Sequence, residues 1–267
     1  MAKSTFYYHT GRPATDKYAA EKTAVMDIYR QSKGTYGYRR ITMQMKEDGY
    51  EINHKTVSRL MRELGVKAKR RRKAYRSYKG KVGKVADNVI ARDFTAARPL
   101  EKMATDITQI NIGERKLYMS ALLDMHNGEI DGYTLSEHPD LELVMSMMRN
   151  FVNDNEITLP ITLHSDQGWH YQHPNFRKIL DDNNITQSMS RKGNCYDNAM
   201  MESFFGTMKT ELLYTRKFKN IHEFADALSE YVEYYNNKRI KLRLGTSPVN
   251  YRTNTNNTMI SPCKRIY

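Results

Sequence analysis

Three acidic residues, Asp106, Asp166 and Glu202, occur in contexts suited to holding a metal ion. Asp106 lies in Met103-Ala-Thr-Asp-Ile-Thr-Gln-Ile110. Asp166 ends the run Ile161-Thr-Leu-His-Ser-Asp166, ahead of Gln167-Gly168. Glu202 lies in Asp197-Asn-Ala-Met-Met-Glu-Ser-Phe-Phe-Gly206, with 35 residues (167 through 201) between it and Asp166. Carboxylates brought together from two strand ends and a helix are what a pair of Mg2+ ions needs to cleave a phosphodiester. The pattern points to a DNA-processing enzyme. A lone Asp or Glu reads as a solvated charge, so the argument rests on three such contexts in one chain.

Other chemistry-bearing residues stand nearby. Asp124 ends a strand and is a further acid that could approach the site. Glu211 reads as a solvated helix charge. His164 and His170 flank Asp166, as proton carriers or as structural groups at the strand end. Lys209 shares a helical face with Glu202 and can reach a phosphate beside the metal site. No G-x-S-x-G elbow supports a Ser-His-Asp hydrolase, and no P-loop is present.

The elements that must position these groups are legible from periodicity. Residues 102–111, 116–125 and 129–136 read as successive strands, separated by Gly113 and by His126-Asn127-Gly128. A helix near 140–153, a strand at 160–165, a helix around 175–182, a strand at 185–189 and a helix from Asp197 to about Leu213 follow. This is a mixed α/β sheet. On strand alternation, Asp106, Thr108 and Ile110 face one way, and Thr105, Ile107 and Gln109 the other. Met201, Phe205, Met208 and Leu212 form the buried stripe of the Glu202 helix. Further on, Ile221, Phe224, Ala225, Leu228, Tyr231, Val232 and Tyr235 mark one apolar helical face. Tyr-Asn-Asn-Lys-Arg at 235–239, Lys241 and Arg243 then lead to Pro248 and a polar tail.

The front of the chain has a different character. The net charge of the whole chain is +13. Residues 1–90 carry 22 Lys+Arg against 8 Asp+Glu, a net +14, and residues 91–267 carry 21 against 22, a net −1. A polyanion-binding module thus precedes a nearly neutral body. Helices are expected over 16–31 (capped by Asp16), about 38–47, and from the N-cap Asn53 to near Gly65. In the third, Val57, Leu60, Met61 and Leu64 form the buried stripe, and Lys55, Ser58, Arg59 and Arg62 the outer face. This is the helix-turn-helix pattern, with an ordinary three-helix bundle as the alternative. Residues 67–84 hold ten basic residues, Arg70, Arg71 and Arg72 among them, and no acid. Such a run suits a linker along DNA phosphates, with Tyr75 and Tyr78 available for packing.

Composition bounds the rest. At 267 residues and 39% hydrophobic content the chain can bury a core. No apolar run is long enough for a membrane span. Two cysteines, Cys195 and Cys263, and no secretion signal predict free thiols in a cytoplasm. The expected organisation is a helix-turn-helix region at 1–66, a basic linker at 67–97, a catalytic core at 98–213, and a C-terminal helix with a basic tail at 214–267.

Thr105-Asp106-Ile-Thr, His164-Ser-Asp166-x-Gly168 and Ser190-x-x-Gly-Asn-x-x-Asp-Asn-Ala-x-x-Glu202-Ser-Phe-x-x-x-x-Lys209-x-Glu211 together resemble the DDE transposases of bacterial insertion sequences. These are similar in their core to retroviral integrases. The resemblance covers nearly the whole length and is closest to the second-reading-frame product of the subgroup made active by frameshift fusion. Met103 and Gln109 stand where that family often has Trp and Tyr, and Arg239-Ile240-Lys241 where it often has Arg-Pro-His. The resemblance implies a ribonuclease H-like fold and Mg2+ (or Mn2+) dependence. Two ions about 4 Å apart would be bridged by Asp106 and Asp166, with Glu202 completing the coordination of the second ion. It implies cleavage at element ends and strand transfer, on double-stranded terminal repeats and target DNA, by an oligomer in the bacterial cytoplasm and nucleoid. It also implies an upstream-frame partner supplying a further helix-turn-helix and a zipper, without which end binding is weak. The rival functions are a DNA-binding regulator with a dead core and a structure-selective nuclease of the same fold.

Overall fold

The computed structural model describes residues 16–69, 85–191 and 198–260, with residues 255–260 as backbone alone. The chain divides into two compact units, Met1–Arg70 and Arg71–Tyr267. Arg70, Arg71, Arg72, Tyr75, Tyr78, Cys195, Asp197 and Cys263, which carried expectations above, lie outside the described residues.

The first unit holds three helices, α1 (Ala19–Gln31), α2 (Tyr38–Glu47) and α3 (His54–Glu63). Their shared core is Val25, Ile28, Ile41, Met45, Val57, Leu60 and Met61. The start of α1 differs from expectation. The Asp16 carboxylate accepts from the Tyr18 amide and pairs with Lys22, which turns the chain before the helix begins. Lys22 also reaches Glu63, tying α1 to α3. Asn53 caps α3 as expected, accepting from the Lys55 amide at 2.8 Å. Helix α3 ends in a Schellman turn: the Val66 amide returns to the Met61 carbonyl and the Gly65 amide to that of Arg62, with Gly65 at φ 70°.

The second unit is built on a five-stranded sheet in the order β3-β2-β1-β4-β5. Its strands are β1 (Lys102–Ile112), β2 (Arg115–Asp124), β3 (Ile130–Ser136), β4 (Ile161–Ser165) and β5 (Ile185–Met189). Strands β1 to β3 form an antiparallel meander, and β4 and β5 join it in parallel. Between them run α4 (Leu141–Asp154), α5 (Trp169–Gln172) and α6 (Pro174–Asp182). Then come α7 (Ala199–Met208), a π-turn (Lys209–Leu213), α8 (Ile221–Asn237) and α9 (Pro248–Ile260).

The alternation along β1 divides two cores. Ala104, Ile110 and Ile112 pack with Met201, Phe205 and Met208 of α7 and with Phe224, Leu228 and Tyr235 of α8. Met103 and Ile107 pack on the other face with Val144, Met148 and Phe151 of α4 and Phe176 and Leu180 of α6. Residues 86–94, within the expected linker, lie along β5: the Ser188 hydroxyl accepts from the Val89 and Ile90 amides, and Ile90 enters the core.

The expectation of a polar tail is corrected. Pro248 opens helix α9 rather than a polar tail, held by Asn127 donating to the Pro248 carbonyl and by an Arg252–Glu129 ion pair. The cations after α8 serve packing: Lys241 donates to the Gly128 carbonyl, and Arg243 reaches the carbonyls of Met125 and His126.

Candidate active site and nucleic-acid interface

Sheet register brings the first two acids together. The parallel pairing of β1 with β4 ends at Ala104↔His164. Two residues further along each strand stand Asp106 and Asp166, where the strands part. A step of two keeps Asp106 on the face of Ala104, the face that α7 covers. Glu202 sits in the first turn of α7.

Their electrostatics reflect this arrangement. Burial pushes the Asp106 carboxyl well above the ordinary carboxylate range, and the charges of Asp166 and Glu202 push it further. The Ile107 amide, which donates to it at 2.8 Å, and the Lys209 cation pull the other way. Asp166 keeps solvent contact at the cleft mouth, but surrounding protein still raises its carboxyl; the Gly168 amide and His170 oppose this. Adjacent carboxylates disfavour one another's ionisation, and a bound cation relieves that repulsion. Among the described residues no three His, Cys, Asp or Glu side chains are gathered tightly enough to cage a metal ion. The acids are neighbours rather than a closed shell.

Lys209 approaches from α7. Its amino group donates to the Thr108 hydroxyl at 2.6 Å, two residues along β1 from Asp106. Burial lowers its pKa, and Asp106 opposes the shift.

The loop that carries Asp166 is secured by Gly168 and the two flanking histidines, and by Gln167, Gln172, Gln187, Ser188 and Ser190, to which sequence reasoning gave no role. Gly168 donates its amide to Asp166 Oδ1 at 2.8 Å. Gln167 donates to the Ser190 carbonyl, Gln172 to the Gln167 carbonyl, and Gln187 to the Tyr171 carbonyl. His164 lies between two hydroxyls, with Nδ1 on Ser188 and Nε2 on Ser190. Ser190 uses its proton on the Ser165 carbonyl, so Nε2 carries the hydrogen and Nδ1 accepts from Ser188. His164 is therefore a fully engaged structural group. His170, bonded to the Pro139 carbonyl, is likewise engaged, and exposed Trp169 lies against its ring.

Asp124 does not join the three acids. It is buried and accepts from the Leu100 and His126 amides, organising the β2–β3 turn. Glu211 is not a solvated charge: it forms a two-bonded ion pair with Arg239, with Arg239 and Glu211 side chains only 6% and 8% exposed. Local periodicity carries no signal for a partner 28 residues away.

In the first unit, Lys55 and Arg62 are exposed on the outer face of α3. Arg59 is exposed as well, but pairs with Glu63 at 3.0 Å and lies over the Tyr18 ring.

Comparisons with known proteins agree with this architecture. Residues 17–74 match the HTH-like domain family, and residues 96–195 and 202–255 match integrase core domain families. The chain is 48% identical over 258 residues to the transposase InsK for insertion sequence element IS150 of Escherichia coli, covering 96% of this chain and 91% of that one. It is 48% identical over 218 residues to a transposase-like protein of Haemophilus influenzae, covering 81% of this chain and all of that one. Its fold is similar to a chain of the simian T-cell lymphotropic virus intasome, with a TM-score of 0.51 at 13% identity, covering 91% of this chain and 76% of that one. A basic helical unit before an integrase-type sheet, with this degree of identity to both relatives, places the chain in the family of insertion-sequence transposases with an integrase core.

Proposed function

We propose that Asp106, Asp166 and Glu202 are the metal-holding carboxylates through which this transposase cleaves the ends of its element and joins them to target DNA. The observation that carries this is the placement of Asp106 and Asp166 where β1 and β4 part, with Glu202 in the first turn of α7 and Lys209 bonded to Thr108, two residues along β1 from Asp106. Integrase-core enzymes are metal-dependent. A cluster of acids with Lys209 beside it fits a divalent ion, by the chemistry of its oxygen donors. When bound, two Mg2+ ions, or Mn2+ in their place, supply Lewis acidity for the attacking oxygen and for the leaving one.

The chain's own residues do the positioning. Asp106 and Asp166 would hold the metal, with Glu202 adding a carboxylate from α7. The Gly168 amide orients Asp166 through Oδ1. Lys209 leaves Thr108 for a DNA phosphate, where a point charge suits it. Lys55, Arg59 and Arg62 contact DNA from the first unit, and Arg70, Arg71 and Arg72 follow the backbone beyond it, supplying salt-dependent affinity. The working form is an oligomer on the element ends, joined by an upstream-frame product.

The test pairs calorimetric titration of Mn2+ with Mg2+-dependent nicking of a supercoiled plasmid carrying the DNA that flanks this reading frame. Asp106→Asn and Asp166→Asn are expected to lose both metal binding and nicking. Either variant retaining normal metal affinity and rate overturns the assignment.

A further inference from the structure

We infer that Glu211 and Arg239, assisted by Tyr231, are positioning residues that hold Lys209 in reach of the reaction centre. This rests on the assignment of Lys209 as a phosphate contact. The α-helical winding of α7 gives way at Lys209 to a π-turn through Leu213, closed by the Tyr214 amide on the Lys209 carbonyl. Widened turns are rare and tend to mark functional places, because helix geometry alone does not favour them. Something outside the helix must hold this one open.

The holding group is the Glu211–Arg239 pair. Glu211, in the middle of the π-turn, receives Arg239 Nε on Oε2 and Nη2 on Oε1, both at 2.7 Å. The Tyr231 hydroxyl donates to Oε2 at 3.0 Å. Arg239 is itself fixed, with its amide on the Tyr234 carbonyl and its guanidinium over the Tyr235 ring. A continuous path therefore runs from the end of α8 through Arg239 and Glu211 into the π-turn. From there it passes to Lys209, Thr108 and the neighbourhood of Asp106. A buried ion pair is weak evidence for net stability, since desolvation offsets the attraction. Its firm consequence is geometric: two parallel bonds admit one orientation of the turn.

Merely structural and positioning roles differ in a double-mutant cycle with Lys209. The full chain is assayed for Mg2+-dependent nicking of the same plasmid and for the salt dependence of DNA binding. Lys209→Ala is expected to slow nicking by about tenfold or more and to reduce the salt slope by about one. The charge-free pair Glu211→Leu with Arg239→Met leaves no orphaned ion. It is expected to stay folded, to slow nicking by a similar factor and to show the same smaller salt slope. Adding Lys209→Ala to it should cost little more.

The inference is overturned if the charge-free pair nicks at the wild-type rate, or if Lys209→Ala exacts its full factor again in that background. If Lys209→Ala alone changes neither rate nor slope, the phosphate assignment fails first, and this inference with it. Tyr231→Phe removes one donor to Glu211 with least disturbance and answers the same question should the pair variant not melt cooperatively. Its smaller loss is expected to vanish beside Lys209→Ala, and a loss that persists in full overturns the inference.

Discussion

The Lys209 amino group rests 2.6 Å from the Thr108 hydroxyl, parking a cation on the strand that carries Asp106 and two residues beyond it. The contact joins a strand of the meander to the helix that carries Glu202, across 101 residues of sequence. It sets the Lys209 cation near Asp106, against the charges of Asp166 and Glu202.

Neutral isosteres at the acids follow directly. Asp106→Asn, Asp166→Asn and Glu202→Gln are each expected to lower nicking and strand transfer on the order of 10³-fold, since metal stabilisation of charge is worth several kcal/mol. Binding of the full chain to DNA, read by fluorescence anisotropy, is expected to change little. A variant that keeps most of its activity removes that residue from the set.

Gly168 gives a second test. A Cβ there would lie 2.9 Å from Asp166 Oδ1 and 3.3 Å from the Tyr171 ring. Its backbone, at φ −58°, accepts any residue, so Gly168→Ala should fold. The carboxylate has to shift, and misplacement on the ångström scale costs about 10²-fold in rate. Unaltered turnover would show that the Asp166 position tolerates more freedom than the geometry suggests.

Breaking the Glu211–Arg239 pair from one side is expected to be severe. Arg239→Met leaves a buried carboxylate without its counter-charge and should cost about 3–5 kcal/mol, whereas removing both charges should be close to neutral. Chemical denaturation of the two variants settles the comparison, and equal losses would contradict it.

Lys241 predicts a pH dependence. Burial, with the charges of Arg239 and Arg243, pushes its amine down to about 7 against the pull of Asp124. The Gly128 carbonyl and the Tyr235 ring favour the ammonium but are outweighed. The unfolded chain holds the proton up to the ordinary lysine range, so between about pH 7 and that range the unfolded state binds more protons. Stability contributed by this group therefore rises with pH through that window. Lys241→Met should gain most relative to wild type below pH 7, with the difference shrinking on the alkaline side. A difference flat in pH would mean the amine stays charged.

On α3, Lys55→Ala and Arg62→Ala should each weaken DNA binding and reduce the salt slope by about one. Arg59→Ala should do less, because its guanidinium already pairs with Glu63. Unchanged affinity and slope in all three would move the interface elsewhere.

Much of this was legible in the sequence, for identifiable reasons. The β1–β3 meander fell within a residue or so of expectation, because its alternation and its Gly113 and Gly128 turns are local signals. Helix α3 was bounded by its Asn53 cap and Gly65. Asp106 and Asp166 were named from context, and each stands two residues past the last β1–β4 pair, Ala104↔His164. What escaped was non-local. Glu211 looked solvated because Arg239 lies on another helix end. Helix α9 looked like a tail because Asn and Thr dominate it, and its anchors, Asn127 and Glu129, sit more than a hundred residues earlier. The π-turn has no local signature at all.

The parting of β1 from β4 makes the two arms of the cleft unequal. Asp106 belongs to a strand still laddered to β2, opposite Ala121, and is the anvil of the pair. Asp166 stands past the last rung, steadied by the Gly168 amide on its carboxylate and by Gln167 on the Ser190 carbonyl. Any change in jaw width, whether for an ion of different radius or for a strand arriving or leaving, falls to the Asp166 side and leaves the sheet unbroken.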